Sequence, residues 1–181
     1  MTTYISILRG INVSGSNIIK MEALKKMYEA LGFEKVKTYL QSGNVIFKAR
    51  SAAPSDLEQI IRQQIKNDFR FDVPVIVMTI DHLQQIIAAN VYKDDTTKDP
   101  SFLHVTFFAS QPATFDIENI ESKKGNEEAM MITNNAVYLY CPQGYGKTKL
   151  TNNFLESKLG VVATTRNWRT TNELFKLAQE I

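Results

Sequence analysis

The sequence predicts an α+β protein made of two ferredoxin-like (split βαβ) halves with antiparallel sheets, related by pseudo-duplication and followed by C-terminal helices. Three observations carry this. Hydrophobic periodicity switches between two and 3.6 in the order β-α-β-β-α-β over the first half of the chain. A polar stretch, Lys93-Asp94-Asp95-Thr96-Thr97-Lys98-Asp99-Pro100, then interrupts the pattern, which restarts at Phe102. Finally, Pro74 opens the apolar run Val75 to Met78, and a residue without an N–H belongs at a sheet edge, where the split βαβ plan puts its fourth strand.

Each element follows from local chemistry. Residues 3 to 9 alternate as a strand, and Met21, Leu24, Tyr28 and Leu31 then recur at helical spacing up to Gly32. Val36 to Leu40 and Val45 to Phe47 read as strands joined by Gln41-Ser42-Gly43-Asn44. Ser55 with Glu58 reads as a capping box for a helix burying Leu57, Ile60, Ile61 and Ile65. A further helix buries Leu83, Ile86 and Ile87, capped by Thr79 or Asp81. Half one is therefore residues 1–91, residues 92–101 are the linker, and half two is residues 102–181. Half two reads as a strand from Phe102, a weak helix near Ala113 to Ile120, a hairpin of Ala129 to Thr133 and Ala136 to Cys141 about Asn134-Asn135, and two terminal helices. Those helices span Lys149 to Leu159 and Asn167 to Glu180, with no final strand and with Asn167 or Thr165 as N-cap.

Composition narrows the function. A net charge of +2, from 21 basic and 19 acidic residues, is too balanced for a broad nucleic-acid-binding face, so an anion site has to be local. Cys141 is the only cysteine and there are two histidines, which leaves no Cys/His metal cluster and no internal disulfide, as suits a cytoplasmic protein. No apolar run approaches the length of a membrane span, and the expectation is a soluble chain.

Two constellations offer binding chemistry. Arg9, Gly10 and Asn12 follow the first strand, and Gln41, Ser42 and Asn44 surround the hairpin turn. In a 4-1-3-2 sheet both lie at the same end, where a guanidinium fork and several amides suit a phosphate, a carboxylate or a base edge. The other is Lys147, Thr148 and Lys149 at an expected helix start, with Arg166 and Asn167 ahead of the last helix. Cys141-Pro142-Gln143-Gly144-Tyr145-Gly146-Lys147-Thr148 imitates a phosphate-cradling loop, but Cys141 replaces its first glycine and the preceding strand belongs to an antiparallel hairpin. No nucleotide triphosphatase is expected. His82 and His104 are isolated, Cys141 reads as buried, and strand Asn44 to Phe47 lacks the aromatic pattern of an RNA-recognition platform.

Four segments together, Leu8-Arg9-Gly10-Ile11-Asn12-Val13, Gln41-Ser42-Gly43-Asn44-Val45, Tyr145 to Asn152 and Thr164-Thr165-Arg166-Asn167-Trp168, resemble the bacterial family known as domain of unknown function 1697. The resemblance implies the two-half α+β fold and brings no activity, cofactor or catalytic residue. The third segment here reads Gly146-Lys147-Thr148-Lys149-Leu150, where the family usually has Gly-Arg-Ser-Lys-Leu. The expected function is binding of a small anionic, phosphorylated or nucleotide-like ligand through the polar loops. The alternatives are a small enzyme acting on a phosphorylated or carboxylate substrate and an interaction module that self-associates through its sheet edges. Nucleic acid is a weakly supported partner and a membrane is not expected; the cofactor is left open.

Overall fold

A computed structural model describes residues 1–181. The chain divides into two compact units, residues 1–84 with 173–181, and residues 85–172. In the first, β1 (Thr2–Leu8), β2 (Glu34–Tyr39), β3 (Asn44–Ala49) and β4 (Val75–Thr79) form one sheet in the order β2-β3-β1-β4. β1 pairs antiparallel with both β3 and β4, and β2 pairs antiparallel with β3, which is the split βαβ arrangement. Helices α1 (Met21–Ala30) and α2 (Pro54–Phe69) supply the crossovers, and α3 (Ile80–Ala88) follows β4. β4 lies at the edge, as Pro74 predicts.

Pleat explains the core of this unit. Tyr4 and Leu8 from β1, Val45 and Phe47 from β3, and Val75 and Val77 from β4 share one face with Leu24, Met27 and Tyr28 of α1 and Leu57, Ile61 and Ile65 of α2. Phe47 stacks on Phe33 at 4.5 Å and meets Tyr28 edge-on at 5.5 Å. The Tyr28 hydroxyl lies 2.8 Å from Ser6 Oγ, and burial pushes its pKa up. Tyr4 reaches the other way, donating to the Ala52 carbonyl at 2.9 Å and accepting from the Ala52 N–H at 3.0 Å.

The second unit repeats the order. β5 (Leu103–Phe108), α4 (Ile117–Glu121), β6 (Ala129–Ile132), β7 (Ala136–Tyr140), α5 (Asn152–Leu159) and β8 (Ala163–Asn167) give a sheet ordered β6-β7-β5-β8, followed by α6 (Trp168–Gln179). The expectation of no final strand is therefore wrong. β8 pairs antiparallel with β5 from Phe108↔Ala163 to His104↔Asn167. Thr165, an expected N-cap, and Thr164 are instead β-branched strand residues satisfied by that pairing.

Other expectations also shift. α2 begins at Pro54 with Ala53 as an N-cap that makes no side-chain bond, so Ser55 and Glu58 form no capping box. Instead Glu58 Oε1 accepts the Val77 N–H of edge strand β4 at 2.9 Å. The second unit has the same device: Glu156 Oε1, from α5, accepts the Ala163 N–H of edge strand β8 at 2.9 Å. Ile60 is 48 % exposed, outside the buried stripe of Leu57, Ile61 and Ile65. α4 is a single short helix capped by Asp116, whose side chain accepts from Asn119 N. Residues 92–101 are ordered by local bonds: Asn90 Oδ1 accepts from Tyr92 N, Asp95 accepts from Thr97 and Lys98, and the Lys98 ammonium lies 5.5 and 5.4 Å from the ring centres of Tyr92 and Tyr140.

Candidate functional site

The polar loops of the first unit meet because β1 and β2 run parallel with β3 between them, so the end of β1 and the β2–β3 turn share one end of the sheet. Asn12 fastens them. Its Nδ2 donates to the Ile19 carbonyl at 2.9 Å and to the Gln41 carbonyl at 2.8 Å, while its Oδ1 accepts the Ile19 N–H at 2.8 Å. The Leu8 N–H donates to the Gly43 carbonyl at 2.8 Å, and the Arg9 N–H to the Pro74 carbonyl at 2.9 Å. Three loops therefore converge on one sheet end.

Local backbone explains why Asn, Ser and Gly fill this region. Asn12, Ser14 and Asn17 hold φ near +50°, where asparagine is the best tolerated of the side chains other than glycine. Asn17 Nδ2 donates to the Gly10 carbonyl at 3.1 Å, bracing the loop from inside. Gly43 is required twice. Its φ is +79°, and a Cβ there would sit 2.6 Å from Ile11 Cδ1 and 2.9 Å from Leu8 Cβ, so the turn rests directly on the loop.

The candidate residues do not all play the same part. Arg9 and Ser42 are half-buried, and Gln41 and Gly10 are exposed. Asn44 is fully buried, with Nδ2 donating to the Tyr39 carbonyl at 2.8 Å and to Ser42 Oγ at 3.1 Å. Asn44 thus closes the hairpin, which corrects the expectation that it contributes to an accessible cluster; Asn12 is likewise committed to the clamp. The accessible rim consists of Arg9, Gly10, Gln41 and Ser42. Two neighbours went unnoticed in the sequence. The loop leads from Ile19 into α1, whose N-cap, Lys20, makes no side-chain capping bond. Val13, Ile18 and Leu40, each more than half exposed, put apolar surface beside the polar rim.

The second group does not form the expected helix-start site. Lys147 ends a 3₁₀ turn, Tyr145–Lys147, and α5 begins only at Asn152. Thr151 caps that helix by accepting the Phe154 N–H at 3.2 Å. Lys147 and Lys149 are exposed, whereas Thr148 is buried and its Oγ1 accepts the Leu150 N–H at 3.1 Å. Arg166, on β8, donates through Nη1 to Thr164 Oγ1 at 3.2 Å and to the Thr165 carbonyl at 3.0 Å. Burial pulls its pKa down to about 10, with Tyr145 opposing the shift. Asn167 Oδ1 accepts the Thr170 N–H at 2.7 Å and so caps α6.

Hydroxyl and amide groups link the second unit internally. Thr106 and Thr165 hydroxyls are 2.7 Å apart, Thr165 Oγ1 donates to Asn152 Oδ1 at 2.7 Å, and Tyr145 stacks on His104 at 4.9 Å. Burial lowers the His104 pKa against a raising contact with the Phe102 carbonyl. Cys141 is buried, and burial followed by the nearby Glu128 charge pushes its thiol up to about 11. Burial and the raised pKa keep that thiol protonated at neutral pH. No cluster of three or more His, Cys, Asp or Glu side chains is arranged to hold a metal ion, and no helix is long and apolar enough to cross a membrane.

Fold and loops together define a class: an α+β protein with two sheets of split βαβ order and a clamped polar loop pair at one sheet end. The chain belongs to the family described as "Protein of unknown function (DUF1697)", whose model matches residues 1–138. That match contains both loops of the first unit and ends within β7. Among solved structures, "The structure of conserved bacterial protein SP0830 from Streptococcus pneumoniae" is similar in fold, with a TM-score of 0.75 at 20% identity over 98% of each chain. No curated protein matches the chain.

Proposed function

We propose that this protein binds a small anionic, nucleotide-like ligand at the loop end of its first sheet. The observation that carries the reading is the Asn12 clamp, which holds the 9–19 loop, the Gln41 turn and the start of α1 together. Arg9 brings a guanidinium, the Gln41 side chain a directional amide, and α1 a first turn without a side-chain cap, all suited to an anion. Glu22, in that first turn, is offset by Lys26 at 3.6 Å. Val13, Ile18 and Leu40 add a surface for an apolar body attached to the anion. Binding is favoured over catalysis because the Glu58, His104 and Cys141 side chains, whose protonation is displaced, belong to other elements and are occupied there.

The test is a thermal-shift and calorimetric titration with inorganic phosphate, pyrophosphate, dicarboxylates and nucleoside mono- and diphosphates. The expected result is saturable binding of a phosphorylated compound. Arg9→Ala should weaken it at least about tenfold, as loss of one charge-assisted hydrogen bond predicts, and Gln41→Ala by less, with folding retained in both. No saturable binding by any of these compounds, or unchanged affinity in both variants, overturns the reading.

A further inference from the structure

We propose that Glu58 and Glu156 are autoinhibitory contacts that keep the two sheets closed to an added strand, by occupying outward main-chain donors on β4 and β8. The pairing phase tells which groups face outward. In the first unit the Arg9 N–H donates to the Pro74 carbonyl at 2.9 Å, which makes Arg9↔Pro74 a hydrogen-bonded pair. Pairs alternate along an antiparallel ladder, so Ile7↔Ile76 and Ile5↔Met78 are bonded too, and Val75, Val77 and Thr79 turn their N–H and C=O groups away from β1. In the second unit the Ala109 N–H donates to the Val162 carbonyl at 3.0 Å, and the same alternation turns Ala163, Thr165 and Asn167 away from β5.

Both carboxylates land on these outward sets. Glu58 Oε1 accepts the Val77 N–H, the middle donor of β4, at 2.9 Å. Glu156 Oε1 accepts the Ala163 N–H, the first donor of β8, at 2.9 Å. Arg166 Nη1 then donates to the Thr165 carbonyl, the next outward acceptor of β8, at 3.0 Å. Each is a charge-assisted bond that the neutral amide of an incoming strand has to displace. The two helices that carry the carboxylates are not copies of one another: α2 has 16 residues and no side-chain cap, whereas α5 has 8 and is capped by Thr151. The same bond on the last strand of both sheets is therefore not a by-product of one helix geometry.

The cover is found on the edges that have no other protection. β2 is broken by a register shift between Glu34 and Lys37 and carries charges at Glu34, Lys35 and Lys37, and β6 is only four residues long. Bulges, charges and shortness each blunt an edge. β4 has none of them: Val75-Ile76-Val77-Met78-Thr79 is unbroken against β1, uncharged and rich in β-branched residues, the composition that pairs most readily when left open. β8 is likewise unbroken against β5 and includes two β-branched threonines.

Residue-resolved amide exchange of the full chain provides the first reading. The Val77 and Ala163 N–H groups should exchange at least about tenfold more slowly than those of Val75 and Thr165, which face outward on the same strands, and should lose that advantage in Glu58→Ala and Glu156→Ala respectively. Sedimentation over a concentration series, well below the melting temperature, provides the second. Glu58→Ala/Glu156→Ala should self-associate at a concentration at least about tenfold lower than the wild type, whereas Glu58→Gln/Glu156→Gln, which keeps an acceptor at both places, should behave as the wild type does. Ile61→Val, a change in the buried face of α2 that leaves Glu58 in place, controls for lost stability. Val77 and Ala163 amides that exchange as fast as their outward neighbours overturn the proposal. So does an alanine pair no more associated than the wild type, a glutamine pair that associates as the alanine pair does, or an Ile61→Val chain that associates as readily.

Discussion

Asn12 and Gly43 organise the loop end of the first sheet, and both show how a residue with an ordinary turn explanation can do more. Asparagine and glycine there were legible as turn formers. That Asn12 satisfies three backbone groups, one of them on the Gln41 turn, was not, because hydrogen-bond partners far apart in sequence leave no periodic trace. The same holds for Asn44, expected among the ligand groups, which the hairpin instead draws inside. Asn12→Ala removes all three bonds and puts alanine at φ +54°, so it should lower unfolding free energy by about 3 kcal/mol in urea titration. Gly43→Ala meets both a left-handed backbone and the Ile11 and Leu8 side chains, and a loss of about 3 kcal/mol is expected by the same measurement. Wild-type stability in either variant would contradict the clamp.

The elements were mostly legible from period and punctuation, and the failures came where a short segment was judged by its neighbours. β8 is five residues between two helices, and its threonines carry no alternating apolar signal, which is why the sequence shows no final strand there. The expected helix from Lys149 begins instead at Asn152, because the hydroxyl of Thr151 sets the boundary. Thr151→Ala should therefore destabilise the protein by about 1 kcal/mol, seen as a lower denaturation midpoint, and Thr151→Ser should restore it. Glu58 gives a pH test at the same scale. Burial, opposed by the Val77 N–H, raises its pKa in the folded state. An acid with a raised folded pKa stabilises the fold below its unfolded value, near 4.5, and loses that contribution as pH rises through the folded value. Glu58→Gln, which keeps an acceptor without the charge, should melt at or above wild type at pH 7.5, with the gap closing towards pH 4.5. Glu58→Ala should melt below wild type at both. If Glu58→Gln melts far lower at pH 7.5, the ionised form is stabilising and the assignment is wrong.

Each of the two sheets places its first-made strand, β1 or β5, between two others, and its second strand, β2 or β6, at an edge. Amide exchange followed by mass spectrometry should accordingly find the interior strands β1, β3, β5 and β7 slower than the edge strands β2, β4, β6 and β8 of their sheets; the reverse ranking would contradict the strand order. This architecture was the most legible level of all, because the restart of the pattern after Pro100 is a property of many residues at once and survives local misreadings. The strand order also has a consequence for synthesis on the ribosome. β1 emerges early, yet the flank that receives β4 stays open until Val75 is made, which at ordinary elongation rates is roughly 3 to 13 s later. During that interval the nascent chain offers an apolar central strand with one vacant side. Pairing with β4 closes that side, and the Glu58 carboxylate then covers the Val77 N–H on the strand's outer edge, so the last strand of the sheet arrives with its own edge already occupied.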